Sequence, residues 1–177
     1  MLHYRLANEK DAVNIALLHT QSWQWHYRGI WSDAFLDGPV AENRLAVWNK
    51  RLLESPENQL ILLAESAGQL VGFVCMYANE NLQYGALLDN LHVSRAVQGQ
   101  GIGKELMRQA AAWLYARDAT AIFYLWVLER NVAAQGFYDR LGGERVECVA
   151  VQNPDGSFTD CYRYIWKDLQ HLILMDS

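Results

Sequence analysis

The chain has 177 residues, of which 51% are hydrophobic and 20% charged. That composition fits one ordinary globular domain over residues 1–177, long enough to bury a core, and argues against disorder. Fifteen Lys and Arg against twenty Asp and Glu give a net charge of −5 with no basic run, so neither duplex nucleic acid nor an anionic membrane surface is an expected partner. A cationic small molecule would be tolerated by that sign. No apolar stretch reaches the roughly 20 residues that span a bilayer, and "MLHYRLANEKDAV" lacks the basic-then-apolar order of a secretory signal. Cys75, Cys148 and Cys161 form no C-x-x-C pair, which predicts reduced thiols in a cytoplasmic protein.

In chain order, "HYRLA" alternates like a short strand, and Asn8 and Asp11 stand where a helix cap and a first-turn acid belong. Ile15, Leu17, Leu18 and Trp23 then keep a helical spacing. The aromatic cluster "WQWHYRGIW" breaks at Gly29, and a second helical region runs from about Ser32 to Leu53, interrupted near "DGP". "QLILLAE" and "QLVGFVCMY" read as strands joined by a short turn, with "GALLDNLHV" as their neighbour. After a glycine-rich stretch, Ile102, Leu106, Ala110, Trp113 and Leu114 lie on one helical face. "AIFYLWVL" is a continuous apolar run, as in a strand covered on both faces. "NVAAQGFYDRLGG" makes a compact helix, and two strands flank the turn "NPDGS". The strand, glycine loop, helix, strand unit requires a right-handed crossover between parallel strands, while hairpin-linked neighbours are antiparallel. The predicted fold is therefore α/β: a mixed sheet with helices on its faces.

The stretch "SRAVQGQGIGKELM" has Gly99, Gly101 and Gly103 at alternate positions just before a helix. The P-loop pattern fails, because Gln98 stands at its first glycine and Glu105 at its hydroxyl residue. The dinucleotide pattern G-x-G-x-x-G fails too, since its third glycine comes one residue early. Gln98-x-x-Gly101-x-Gly103 instead resembles the acyl-CoA signature [QR]-x-x-G-x-[GA] of the GNAT N-acetyltransferase superfamily. "LWVLERNVAAQGFYDRLGG" resembles a second block of the same family, and "SWQWHYRGIWSDAFLD" with "RLAVW" resembles the amino-terminal part of many bacterial members. Ser94 and Gly143 depart from it, standing where proline and an aromatic are common.

The resemblance implies a largely antiparallel sheet of about seven strands with one splayed parallel pair, a form consistent with the mixed sheet read above. It implies acetyl-CoA as cosubstrate and no metal; the five histidines show no paired ligand spacing either. Gln98, Gly99, Gln100, Gly101, Ile102, Gly103 and Lys104 would cradle the pyrophosphate, through main-chain N–H groups at a helix start where side-chain cations are few. Backbone at Leu91, His92 and Val93 would hold pantetheine as an added strand, the splay opening just beyond them, with Asn131 and Ala134 on the other side.

The implied reaction is direct attack by a primary amine of a small molecule or peptide, with Tyr138 as general acid to the leaving thiolate and backbone N–H near His92–Val93 for the oxyanion. For the base, Asp89 and Leu91 share one strand face while Asn90 and His92 share the other, so one pair looks into the site. His92, which titrates in a useful range, Asp89 and a water chain all remain open. Trp23, Trp25, Tyr27 and Trp31 would wall the acceptor pocket or simply cap the sheet. A homodimer is compatible with the family, and the rival reading is an acyl-CoA-binding sensor or assembly module of the same fold.

Overall fold

The computed structural model describes residues 2–175. Seven strands form one sheet: β1 (Leu2–Leu6), β2 (Gln59–Ser66), β3 (Gln69–Asn81), β4 (Gly85–Val93), β5 (Phe123–Leu128), β6 (Glu144–Gln152) and β7 (Phe158–Trp166), in spatial order β1-β2-β3-β4-β5-β7-β6. All neighbours are antiparallel except β4 and β5. Ala67 and Gly68, with φ of 50° and 76°, make the tight turn between β2 and β3, the left-handed pair that matches strand twist.

Strand periodicity divides the core in two. On β2, Leu60, Leu62 and Ala64 point to one face, and Ile61 and Leu63 to the other. The second face is covered by α1 (Ala12–His26) and α3 (Val40–Glu54), joined through the short α2 (Asp33–Leu36). Trp48 of α3 is fully buried there, edge-on to Phe73 at 5.1 Å, and its indole N–H donates to His19 Nδ1 at 3.0 Å. Asn8 and Asp11 do cap, but a single 3-10 turn over Glu9–Asp11 precedes α1, so Asp11 both closes the capping box and begins the longer helix.

The first face carries α4 (Ile102–Tyr115), α5 (Val132–Arg140) and α6 (Leu169–Leu174). Ile102, Leu106, Met107, Ala110, Ala111 and Leu114 form the buried stripe of α4. The closing α6 has no sequence-level forecast: it is six residues long, capped by Asp168 accepting from the His171 N–H, and buries only Leu169 and Leu172. Gly143, the departure from the family pattern, has a local cause. A Cβ there would meet the Trp166 ring at 2.6 Å, and Trp166 stacks on Phe123 at 4.8 Å. Trp166 therefore packs where an aromatic side chain at 143 would need room.

The feature that creates the site lies in the middle of the sheet. β4 and β5 pair only at Ala86 with Phe123 and Leu87 with Tyr124. The splay thus opens at Leu88, well before the expected point beyond Leu91–Val93. Register explains the difference. Opposite β3, Cys75 pairs with Asn90 and Met76 with Leu88, which leaves Asp89 as an extra residue. Such a bulge bends and over-twists its strand. It carries the rest of β4 away from β5 and leaves the facing edges of the two strands unpaired.

Candidate active site

The splay forms a cleft of about 700 Å³. Leu88–Val93 of β4 and Leu125–Leu128 of β5 bound it, the start of α4 and the first turns of α5 close one end, and α1 with α3 form the other. Of the sequence-expected residues, Leu91, His92, Val93, Asn131, Ala134 and Tyr138 line it. Gln98, Gly99, Gly101, Ile102, Gly103 and Lys104 do so at the loop end, and Trp23, Tyr27 and Trp31 at the helical end. Gln100 is exposed and outside the lining. Trp25 also lies outside: it is 55% exposed on the far side of α1, under the Arg95 guanidinium at 3.4 Å. A helical period places residues 23 and 27 on one face and turns residue 25 away.

The loop end is made of donors. Gly99 and Gly101 adopt φ of 81° and 80°, and Gly101 is the N-terminal cap of α4. A Cβ at either would meet no protein atom within 4 Å, so left-handed backbone, rather than crowding by the fold, calls for glycine. The first bond of α4 runs from the Glu105 N–H to the Gly101 carbonyl at 3.0 Å. Among the described residues, the N–H groups of Gly99, Gln100, Gly101, Ile102 and Gly103 have no acceptor. Five successive donors at a helix start suit a polyanion such as a diphosphate. Gln98 braces the loop by donating from Nε2 to the Val93 carbonyl at 3.3 Å. Lys104 and Arg140 also line this end, which corrects the expectation of few cations near the cradle.

Across the cleft, Asn131 caps α5 by accepting from the Ala134 N–H at 3.2 Å. Two turns on from that cap, Tyr138 is buried, its ring 5.8 Å from Trp166 and 6.0 Å from Tyr164. Burial pushes its phenol above the ordinary value, with Tyr27 adding to the shift, so it is a protonated donor throughout the physiological range.

The bulge overturns the strict alternation expected on β4. Asp89 and Asn90 are consecutive, yet both reach one guanidinium: Arg51 Nη2 lies 2.6 Å from Asp89 Oδ2, and Arg51 Nη1 donates to Asn90 Oδ1 at 2.6 Å. Arg51 comes from α3 and lines the cleft, a contributor that sequence spacing did not reveal. His92 likewise departs from expectation. Its Nδ1 is 2.7 Å from Ser22 Oγ and its ring 4.4 Å from His19. Loss of water around the ring, with smaller contributions from His26 and Arg44, pushes its pKa down to about 3. The imidazole is neutral at pH 7, outside the useful titration range first assigned to it. Ser22, His26, Arg44 and the hairpin residues Val151–Pro154 also line the cleft.

Comparison with known proteins agrees with this geometry. Residues 20–143 match the profile of the acetyltransferase (GNAT) family, and the chain belongs to that family. Among curated relatives, it is 26% identical over 148 residues to an uncharacterised N-acetyltransferase of Bacillus subtilis, covering 82% of each chain. It is 28% identical over 145 residues to a probable N-acetyltransferase of Mycobacterium tuberculosis, covering 78% of each. Its fold is similar to the PaiA N-acetyltransferase of Thermoplasma acidophilum, solved with coenzyme A, at TM-score 0.71 and 21% identity over 93% of this chain and 99% of that one. It is also similar to a putative acetyltransferase of Salmonella typhimurium solved with acetyl-CoA, at TM-score 0.67 and 20% identity over 94% of each. The protein is thus an acyltransferase of this family. No helix among the described residues is long and apolar enough to cross a membrane, and they contain no cluster of three or more metal-binding side chains.

Proposed function

We propose that the protein transfers acetyl from acetyl-CoA to a primary amine of a small molecule or peptide by direct attack. The observation that carries this reading is the row of unpartnered N–H groups from Gly99 to Gly103 at the mouth of a cleft between splayed strands. When bound, acetyl-CoA supplies a thioester carbonyl and a thiolate leaving group. The loop Gln98–Lys104 would grip the diphosphate, with Lys104 and Arg140 adding positive field. The freed edge of β4 at Leu91–Val93 would take the pantetheine amides as a strand takes its neighbour, with Asn131 and Ala134 opposite.

Tyr138 holds its proton at the phenol oxygen and delivers it to sulfur. Neither side chain first considered as base is well suited to that role. Asp89 is engaged by Arg51, and an imidazole with pKa about 3 is a weak proton acceptor. The amine therefore loses its proton to water in the cleft, and Asp89, Asn90 and His92 act as polar wall and water holders.

This assignment fixes a pH dependence. An alkylammonium acceptor has pKa near 10.4, so its neutral fraction rises about tenfold per pH unit between roughly 6.5 and 9. His92 stays neutral across that window and adds no limb of its own. The expected result, followed by thiol release from acetyl-CoA with a panel of amines, is log kcat/KM rising with slope one, in wild type and in His92→Asn alike. An inflection near 6.5 that vanishes in His92→Asn would make His92 the base after all. Thiol release with no amine of a broad panel would leave the binding-only reading.

A further inference from the structure

The net charge of the chain is −5, yet the cleft has the opposite sign. Arg44, Arg51, Lys104 and Arg140 line it, and Asp89 is the single carboxylate among its described lining residues. Lys104 and Arg140 sit at the loop end. Arg44 and Arg51 sit at the helical end, and there the one carboxylate belongs to Arg51.

Arg44 is left over. Only 9% of it is exposed, its Nε donates to Asn43 Oδ1 at 3.1 Å, and Nη2 donates to that same neutral oxygen. No Asp or Glu among the described residues is within ion-pair distance of it. The guanidinium is fixed over the Trp23 ring at 4.0 Å. A cation–π contact recovers only part of what taking an ion out of water costs. Burial and the Arg51 charge push its pKa down to about 10 against the smaller opposing pull of Asp89, which lies beyond ion-pair distance, and it is still charged at pH 7. Beside it, Trp31 packs edge-on to the same Trp23 at 4.6 Å, and its buried indole N–H has no acceptor. One wall of the cleft thus holds a cation whose hydrogen-bond acceptor is neutral and an indole N–H that has no acceptor.

We infer that the acceptor is an amine that also bears a carboxylate, which Arg44 binds on the face of Trp23. The inference rests on the acetyl-transfer reading and narrows its substrate class: amino acids and their relatives, rather than simple amines or polyamines. An aromatic wall with a planar guanidinium pinned on it is well made for a flat oxyanion. The −5 net charge, which would admit a cationic acceptor, is a whole-chain average that the cleft does not share.

Matched pairs test this: phenylalanine with phenethylamine, tyrosine with tyramine, tryptophan with tryptamine and lysine with cadaverine, each assayed by thiol release from acetyl-CoA. With kcat/KM expressed per unprotonated amine, because the neighbouring carboxyl group alters the ammonium pKa, the carboxylated member of each reacting pair is expected to be at least about tenfold better, the scale of one charge-assisted hydrogen bond. In Arg44→Gln the ratio is expected to fall to within about threefold of one, and Arg44→Lys is expected to lie between. A separate calorimetric arm uses wild type saturated with CoA and needs neither transfer nor a folded variant: 3-phenylpropionate is expected to bind and 3-phenylpropanol not. Equal or better transfer to the descarboxy amines, or a ratio unchanged in Arg44→Gln, overturns the inference. If no pair reacts, the transfer reading fails for this acceptor class, and the calorimetric arm decides the role of Arg44 alone: equal binding of acid and alcohol overturns it.

Discussion

Replacing Tyr138 with phenylalanine is expected to lower kcat by about 10²–10⁴-fold, the usual contribution of a positioned general acid, while CoA affinity moves by less than about twofold. The substitution keeps the ring that packs against Trp166 and Tyr164 and removes only the oxygen, so folding is preserved. Two facts make the phenol a suitable donor. It lies on α5, two turns beyond the Asn131 cap, facing a cleft that β4 and β5 hold open. Burial also keeps its proton in place. The same burial raises the basicity of any thiolate formed in the cleft, so donor and acceptor shift together. A kcat within about threefold of wild type would remove the acid role from Tyr138 and leave its ring as packing.

The second large effect is expected at Gly101. Valine there must adopt φ near 80°, a conformation β-branched residues avoid, at a cost of about 1–3 kcal/mol. The strain falls on the cap of α4, and relieving it turns the N–H groups of Gly101, Ile102 and Gly103 out of their common direction. Gly101→Val is expected to weaken CoA binding by more than about 100-fold, about 2.7 kcal/mol. At roughly 2–4 °C per kcal/mol, the melting temperature drops by no more than about 12 °C. Calorimetric titration with CoA, beside a thermal melt, checks both. Wild-type affinity in a folded Gly101→Val protein would contradict the cradle.

Several parts of this site were legible in the sequence because they are local. The apolar stretch "QLILLAE" before a short turn located β2, and the apolar run "AIFYLWVL" located β5, buried on both faces. Glycine at alternate positions marked the loop before α4, where Gly99 and Gly101 take left-handed backbone, and Asn131 marked the start of α5. What escaped was relational. One inserted residue at Asp89 shifts every later face of β4, and alternation has no means of detecting it. That shift sets Asp89 and Asn90 on Arg51, 38 and 39 residues back in the chain. The same limit hid Arg44 and the positive cleft, since net charge averages over surfaces that never meet. The low pKa of His92 was hidden for the same reason: it comes from burial, with His26 and Arg44 adding to it, and Ser22, His19 and Phe73 packed around the ring lie on other elements.

Amide NMR of isotope-labelled protein during a CoA titration is the most direct test of a main-chain grip on coenzyme A. The account predicts saturable shifts at one equivalent, largest at the Gly99, Gly101, Ile102 and Gly103 amides. Resonances of that loop left unmoved while the ligand binds, or no binding at all, would contradict it.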